Sequence, residues 1–260
     1  MDLRTLRIPA SGRTVHYYRA GKGQPLLYLH HVAGLAGFEP ALERLAESFD
    51  VIAPFAPGWG PSKDDLEAID RGPLDLTLHH GDLLETLGIE SASVVGISIG
   101  AWMAAELAAI LPARVRRLVL VNPLGIWLED AQGADPFAQH PLEMTRVLFA
   151  DPKLRETMLL AGHPSPVEGL IAEMLALRAS AKFLWPIPDT GVASRLPRIR
   201  AATLVVTSEK DAVVPAAHGP AWQTRIPGAK LAVLPAAGHL AELEQPEAFA
   251  ALVREFALRG

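Results

Sequence analysis

The pentapeptide Gly96-Ile97-Ser98-Ile99-Gly100 places a serine between two glycines, in a pattern suited to nucleophilic chemistry. It follows a short apolar run and opens a longer one of small and apolar residues, which predicts a strand, a tight turn and a helix. Such a turn strains the backbone of its central residue, and the glycines avoid clashes that a Cβ would cause. Ser98 would stand at the carboxyl end of the strand, beside the free N–H groups of the helix. We therefore predict that Ser98 is a nucleophile.

Two other interpretations fit the same five residues. One is a structural serine in a glycine-rich turn, and the other is a phosphate-binding loop. The phosphate-binding version lacks the Lys-Ser/Thr pair that contacts the phosphates. The predicted strand, turn and helix around Ser98 therefore favour the nucleophile.

A serine hydroxyl needs a base to take its proton, and the base needs a partner that holds its tautomer. Asp211 lies just after one predicted strand in the second half of the chain, and His239 lies after the next. We expect both at the edge of the sheet that carries Ser98. Glu209 is a rival for the acid, and a capping or surface role is the alternative for His239.

An acyl-transfer reaction also needs two hydrogen-bond donors for the oxyanion that develops. The apolar run Pro25–His30 leads into the loop His31-Val32-Ala33-Gly34. A loop here, beside the turn of Ser98, could aim a backbone N–H at the same point as the N–H of Ile99. The alternative is a plain connection between a strand and a helix.

The elements that must position these residues alternate along the chain. Short apolar runs typical of buried strands are separated by amphipathic runs, which predicts an α/β fold with a mostly parallel, doubly wound sheet. Leu3–Pro9 and Thr14–Arg19 look like an opening antiparallel pair. From residue 122 to 197 the pattern changes to short helical pieces broken by prolines. We predict a core domain of residues 1–121 and 198–260, with residues 122–197 inserted as a helical cap.

Composition excludes several classes of protein. The chain has 260 residues, of which 50% are hydrophobic and 20% charged, too apolar for a disordered chain. A formal charge of −5 argues against a nucleic-acid partner. With no cysteine, disulfides, zinc–thiolate sites, iron–sulfur clusters and a cysteine nucleophile are excluded.

Membrane and metal signals are weak. The start of the chain has no apolar segment of the kind found in secretory signals. The longest apolar stretch, Ala92–Ala113, contains Glu106 and is better explained as a strand and a helix than as a membrane span. Adjacent His79 and His80 point in different directions on a helix and cannot chelate one ion together. We expect a cytoplasmic protein without cofactor, metal or membrane partner.

Further short segments outside the insertion carry a more specific signal. They are Leu29-His30, Ala53-Pro54, Pro57–Ser62, Val95–Gly100, Arg114–Val121, Lys210–Pro215, Ala237–His239 and Glu244–Glu247. In these segments the chain resembles the α/β-hydrolase fold superfamily, of the serine-hydrolase or esterase-like kind with a helical cap. The resemblance implies Ser98 as nucleophile, His239 as base and Asp211 as its orienting acid. It also implies oxyanion N–H groups from Ile99 and Val32, and a cap over the site.

One departure from the family pattern lies in the oxyanion loop. The family usually has His-Gly where this chain has His30-His31, and both are taken as candidate oxyanion-loop or substrate-binding residues. The imidazole of His31 could narrow the site or supply an extra polar contact to the substrate.

The composition of the predicted cap and of the site loops indicates the class of substrate. The cap is rich in Leu, Met, Phe and Trp, and Lys210 is the one basic residue in the site loops. This favours hydrolysis of a small-to-medium, largely apolar carboxylic ester through an acyl-enzyme. The first alternative is a hydrolase of the same fold acting on another bond: the C–C bond of a diketone-type ring-fission product, a lactone, an amide or a peracid. A non-catalytic ligand binder is the second. The expected partner is a small acyl substrate, and the expected state a monomer or homodimer.

Overall fold

The structure, a computed structural model, describes residues 2–70, 72–139, 147–160, 163–185 and 188–259. Its strands are β1 (Leu3–Arg7), β2 (Thr14–Ala20), β3 (Gln24–Leu29), β4 (Phe49–Pro54), β5 (Ala92–Ile97), β6 (Val115–Val121), β7 (Ala202–Ser208) and β8 (Lys230–Leu234). They form one eight-stranded sheet in the order β1-β2-β4-β3-β5-β6-β7-β8. β1 and β2 pair antiparallel, as does β2 with β4, and the remaining pairs are parallel. The predicted mostly parallel α/β sheet is confirmed.

Helices cover both faces of this sheet. Those of the described residues are α1 (Pro40–Ala46), α2 (Pro73–Thr86), α3 (Ile99–Ile110), α4 (Pro166–Leu184), α5 (His218–Arg225), α6 (Ala241–Glu244) and α7 (Pro246–Ala257). α1 packs against α7, and their apolar residues share one core cluster with the strands. α2 and α3 contribute to a second cluster on the other face, together with Trp222 of α5. The sheet is therefore doubly wound, as its continuous apolar strands predict.

The central strands are apolar because both of their faces are covered. All six residues of β5 are buried, as are the last four of β3. Burying one Val or Leu side chain contributes roughly 1.5–3 kcal/mol, and truncation to alanine in such a core costs about 2–5 kcal/mol. β5 is thus anchored at the centre of the sheet, and Ser98, the residue that follows it, is held in a well-defined position.

Between β6 and β7 the described residues are mainly helical. α4 is preceded by a helical turn at Glu156–Leu160, and Gly125 pairs with Asp189 as an isolated parallel bridge. Among the short helical pieces that the sequence predicts between residues 122 and 197, the one at Leu142–Phe149 lies mostly outside the described residues. We keep the cap boundaries, 122 and 197, as a prediction. No helix among the residues described is both long and apolar enough to cross a membrane.

Candidate active site

Ser98 lies in a strained turn between β5 and α3. Its backbone angles are φ 58° and ψ −120°, a conformation that non-glycine residues rarely adopt. Its N–H donates to the carbonyl oxygen of Val121 at 2.9 Å, which fixes the turn to the next strand. A Cβ at Gly100 would overlap the carbonyl oxygen of Leu29, and one at Gly96 would overlap that of Gly100. The two glycines are therefore required by the close approach of the backbone.

Ser98, His239 and Asp211 form one hydrogen-bonded chain of side chains. The Nε2 atom of His239 lies 2.7 Å from the Oγ atom of Ser98, and its Nδ1 atom lies 2.8 Å from Asp211 Oδ2. The other carboxylate oxygen of Asp211 accepts the N–H groups of Val213 and Val214 at 2.8 and 2.9 Å. With Nδ1 donating to the carboxylate, Nε2 is free to accept the serine proton. This geometry suits a serine nucleophile and its base.

Glu209 has a different place from Asp211. Its carboxylate accepts the N–H of Ala236 at 2.8 Å, in the turn that precedes His239. It braces that turn and does not contact the imidazole in this structure. Of the two acids that the sequence offered, Asp211 is the one bonded to His239.

The loop after β3 holds one peptide unit in a fixed orientation. The carbonyl oxygen of His31 accepts hydrogen bonds from His30 Nδ1 at 2.9 Å and from the N–H of Gly34 at 3.0 Å. His30 can donate there because its Nε2 atom accepts the N–H of Ala56 at 3.1 Å, and burial lowers its pKa to about 4. In a planar trans peptide the N–H points opposite to the C=O. The N–H of Val32 is therefore directed away from these partners.

The next peptide unit is also held. The carbonyl oxygen of Val32 accepts Trp59 Nε1 at 2.9 Å and Ser180 Oγ at 3.1 Å, so a residue of α4 is bonded to this loop. Ile99, the other predicted donor, is the first residue of α3, where N–H groups lack partners within the helix. Both predicted oxyanion donors thus lie on backbone that neighbouring elements hold in place.

Comparison with known proteins identifies the family of this chain. The model of the alpha/beta hydrolase family matches residues 26–252. The chain belongs to the α/β hydrolase family. The family is one of enzymes, and the protein is a hydrolase.

Several curated hydrolases are similar over nearly their full length. The 2-hydroxymuconate semialdehyde hydrolase of Pseudomonas sp. strain CF600 is 32% identical over 96% of this chain and 92% of its own. The 2-hydroxy-6-oxo-6-phenylhexa-2,4-dienoate hydrolase of Burkholderia cepacia is 29% identical over 95% and 92%. Among solved structures, a meta-cleavage product hydrolase from Pseudomonas fluorescens IP01 has a TM-score of 0.76 at 22% identity, covering 98% of this chain and 97% of that chain. That structural likeness supports the fold.

His31 has a different environment in this hydrolase from the one that the sequence suggested. Its ring is fully buried, and its Nε2 atom lies 3.4 Å from an oxygen of Glu242. The imidazole points into the protein interior, and its contact to a substrate stays a prediction. His30 likewise uses both ring nitrogens for backbone groups. Both residues shape the loop rather than line a cavity.

Asn122 is a residue of the hydrolase's site that the sequence analysis did not identify. Its side-chain N–H₂ donates to Ser208 Oγ at 2.8 Å and to the carbonyl oxygen of His239 at 2.9 Å, while its oxygen accepts the N–H of Ser208 at 2.9 Å. Its φ is 47°, a region that Asn tolerates better than most residues. It joins the ends of β6 and β7 to the turn that carries His239. An Asn directly after an apolar strand was the available signal.

A cavity of about 270 Å³ lies near the triad of the hydrolase, and its described lining includes two residues hydrogen-bonded to triad members but no triad residue itself. Leu124, whose N–H donates to the carbonyl oxygen of Ser98, and Val213, whose N–H donates to Asp211, both line it. Its walls are mostly apolar, with Trp127 among the largest side chains, and the described lining contains no Lys or Arg. Apart from Asp135 and His218 the lining offers few charged groups, and the cavity suits a largely apolar group.

Proposed function

We propose that this hydrolase cleaves a carbon–carbon bond beside a ketone, in substrates of the 2-hydroxy-6-oxo-dienoate kind. Relatives named for such activities are about 30% identical and align with nine-tenths or more of both chains, and this likeness carries the proposal. It favours the first alternative of the sequence analysis over the ester hydrolase. The hydrogen-bonded Ser98, His239 and Asp211 supply the chemistry that such a reaction needs.

In the first half of the reaction Ser98 is acylated. His239 takes the proton of Ser98 across 2.7 Å as the Oγ–C bond forms to the ketone carbon. The ketone oxygen becomes an oxyanion, for which Val32 and Ile99 are the proposed N–H donors. When it collapses, the C–C bond breaks and the leaving carbon takes the proton from His239. Before the bond can break, the 2-hydroxy group of the substrate must tautomerise to a ketone, with its proton moving to C5. The new C2 carbonyl then accepts the electron pair of the breaking C5–C6 bond through the C3=C4 double bond.

In the second half, water releases the acyl group. Its oxygen attacks the acyl carbon while His239 takes a proton, and collapse of the intermediate frees a carboxylic acid and returns a proton to Ser98. Asp211 holds the imidazole tautomer and stabilises the imidazolium in both halves. The net reaction adds one water molecule across the broken bond.

Hydrolysis of a neutral, apolar ester is the second candidate. A dienoate carries a carboxylate, whereas the cavity beside the triad has no Lys or Arg among its described lining. An ester needs no such partner, and the same steps apply with an alkoxide as leaving group.

Turnover of two substrates separates the candidates. We would measure loss of the dienone absorbance of 2-hydroxy-6-oxo-6-phenylhexa-2,4-dienoate and release of p-nitrophenol from p-nitrophenyl butanoate. The proposal expects the dienoate kcat/KM to be the larger, by about 100-fold or more. Ser98→Ala should lower both activities by on the order of 10⁵-fold.

Asp211→Asn and Glu209→Gln form a matched pair for the acid. Asp211→Asn should lower kcat by on the order of 10⁴-fold, because the imidazole takes the wrong tautomer. Glu209→Gln should stay near wild type, since an amide oxygen still accepts the N–H of Ala236. If the enzyme hydrolysed the ester but not the dienoate, the second candidate would be the assignment. Full activity of Ser98→Ala would exclude serine chemistry.

A further inference from the structure

A cluster of buried ionisable side chains lies behind the oxyanion loop. It consists of His31, Glu39, Glu242 and Tyr28, which we name the carboxyl cluster. The Nε2 atom of His31 lies 3.4 Å from Glu242 Oε1 and 3.9 Å from Glu39 Oε1. All four side chains are buried, and the Nε2 atom and both oxygens of Glu242 have no hydrogen-bond partner of good geometry. The cluster is therefore a set of polar atoms that face one another.

The three residues that face each other come from three different segments of the site. His31 belongs to the oxyanion loop, and Glu39 immediately precedes α1 and accepts the N–H of Ala36 at 3.4 Å. Glu242 belongs to α6, three residues after His239. A change in the cluster therefore acts on the oxyanion loop and on the turn of the catalytic base together.

The charges around the cluster are unbalanced if its carboxyls are ionised. Charged and polar groups from neighbouring segments face the cluster: His30 and His239 lie near His31, Tyr28 near Glu39, and Glu244 near Glu242. None of the described residues that face it is a Lys or an Arg. Burial raises the pKa of Glu39 to about 8 and that of Glu242 well above its ordinary value. Burial also lowers the pKa of His31 well below its ordinary value. Burial thus shifts both carboxyl groups toward their protonated form and the imidazole toward its neutral form.

The tautomer of His31 follows from its other nitrogen. The N–H of Ala33 donates to His31 Nδ1 at 3.2 Å, so Nδ1 carries no proton and the neutral ring carries its proton on Nε2. That nitrogen lies 3.4 Å from Glu242 Oε1 and 3.9 Å from Glu39 Oε1, without a hydrogen bond of good geometry to either. The N–H of Ala33 and the C=O of Val32 belong to one peptide unit, so His31 holds one end of it while Trp59 and Ser180 hold the other.

We propose that His31, Glu39 and Glu242 are positioning residues, and that their packing behind the oxyanion loop holds the Val32 peptide in place for oxyanion binding. This inference rests on the proposed role of the Val32 N–H in the reaction at Ser98. In this proposal the carboxyl groups act as neutral polar side chains and need carry no net charge. A neutral side chain of the same shape should therefore replace a carboxyl group, whereas an apolar one should not.

A divalent cation is the competing explanation for the same side chains. The candidate ligand atoms lie within 4.8 Å of one another, and imidazole and carboxylate are suitable ligands. A metal ion on Nε2 of a neutral imidazole would require the proton on Nδ1, where the N–H of Ala33 already points. The hydrogen bond to Ala33 therefore favours a proton on Nε2 over a metal ion.

The first test is the pair Glu242→Gln and Glu242→Leu. We would measure kcat and KM with whichever substrate turns over, and the rate at which a fluorophosphonate probe labels Ser98. The labelling rate depends on the nucleophile and the oxyanion donors but not on the natural substrate, so failure of the C–C proposal leaves the test intact. Glu242→Gln should stay within about threefold of wild type in both rates. Glu242→Leu should lose about tenfold or more, with KM nearly unchanged.

His31→Asn and His31→Leu provide a second pair should Glu242→Leu fail to fold. The side-chain oxygen of Asn replaces Nδ1 as acceptor for the N–H of Ala33, so His31→Asn should recover much of the labelling rate that His31→Leu loses. Glu106→Gln is the control, since it alters a buried carboxylate outside the cluster and should leave the labelling rate unchanged.

Three outcomes would overturn the proposal. Wild-type rates in both leucine variants would show that the cluster does not position the loop. Equal loss in Glu242→Gln and Glu242→Leu would show that a charge is required. One equivalent of divalent metal in the purified protein, with labelling lost on chelation and restored by the metal, would establish a metal site instead.

Discussion

Glu106 on α3 and the Glu39–Glu242 pair of the carboxyl cluster are buried on opposite faces of the sheet. Glu106 is 1% exposed and receives two hydrogen bonds of 2.6 Å from Arg195 and one of 3.0 Å from Trp102 Nε1. Glu39 and Glu242 have no Lys or Arg partner among the described residues. The first group is an ion pair and the second is an uncharged cluster.

The difference shows how a buried carboxyl group acquires its role. With a guanidinium beside it, Glu106 connects the core helix to the segment just before β7, because Arg195 also donates to the carbonyl oxygen of Thr190. Without a cation, burial favours the protonated form, and the carboxyl group acts as a neutral hydrogen-bonding side chain. Replacing a Glu by the isosteric Gln therefore tells the two groups apart, because it removes the charge that Arg195 needs but keeps a neutral hydrogen-bonding side chain in the cluster.

The largest effect is expected when the ion pair is broken from the cationic side. Arg195→Leu leaves the buried Glu106 carboxylate without its partner, which should lower the free energy of unfolding by about 3–5 kcal/mol. Denaturant unfolding followed by circular dichroism measures this loss. The double variant Arg195→Leu/Glu106→Leu should recover part of it, and no recovery would show that the charge was not the cause.

A smaller effect is expected in the pH dependence of the uncharged cluster. The pKa of Glu39 rises from 4.5 to about 8 on folding, so between these pH values the native state keeps a proton that the unfolded chain has released. Stability therefore falls as pH rises from 5 to 8, by at most about 1.4 kcal/mol per pH unit for this one group. Glu39→Gln removes the titration and should reduce that slope. Parallel curves for the two proteins would contradict a protonated Glu39.

The smallest effect is expected on the surface. Arg44 contacts Glu47 and Glu247, and all three side chains are largely exposed. Exposed ion pairs contribute little because water screens them and ordering long side chains costs entropy. Arg44→Gln should leave the midpoint of thermal unfolding within experimental error at moderate salt. A clear loss of stability would mean that burial does not explain why the ion pair of Glu106, the carboxyl cluster and the surface contacts of Arg44 differ in their contribution to stability.

Much of the fold could be predicted from the sequence because its signals are local. The strands β6 and β8 lie where the chain has the short apolar runs Val115–Val121 and Lys230–Leu234. β6 is largely buried inside the sheet, whereas β8 is an edge strand with Val233 exposed. The 3₁₀ segment Gly60–Ala68 and the short helix α6 were not predicted, because neither shows apolar residues at a helical period. Short segments of this kind depend on turn geometry and on contacts with neighbouring elements, and an apolar pattern does not show either.

The sequence by itself determined the turn of Ser98, because two glycines between an apolar strand and an apolar helix leave the chain few other conformations. Asp211 and Glu209 lie two residues apart after the same strand, and only the packing of β7 against β8 decided that Asp211 reaches His239. The tertiary structure likewise turned His31 toward Glu242, a residue distant in sequence. The direction of a side chain depends on neighbours that the chain brings together only when it folds, and that is why these contacts required the structure.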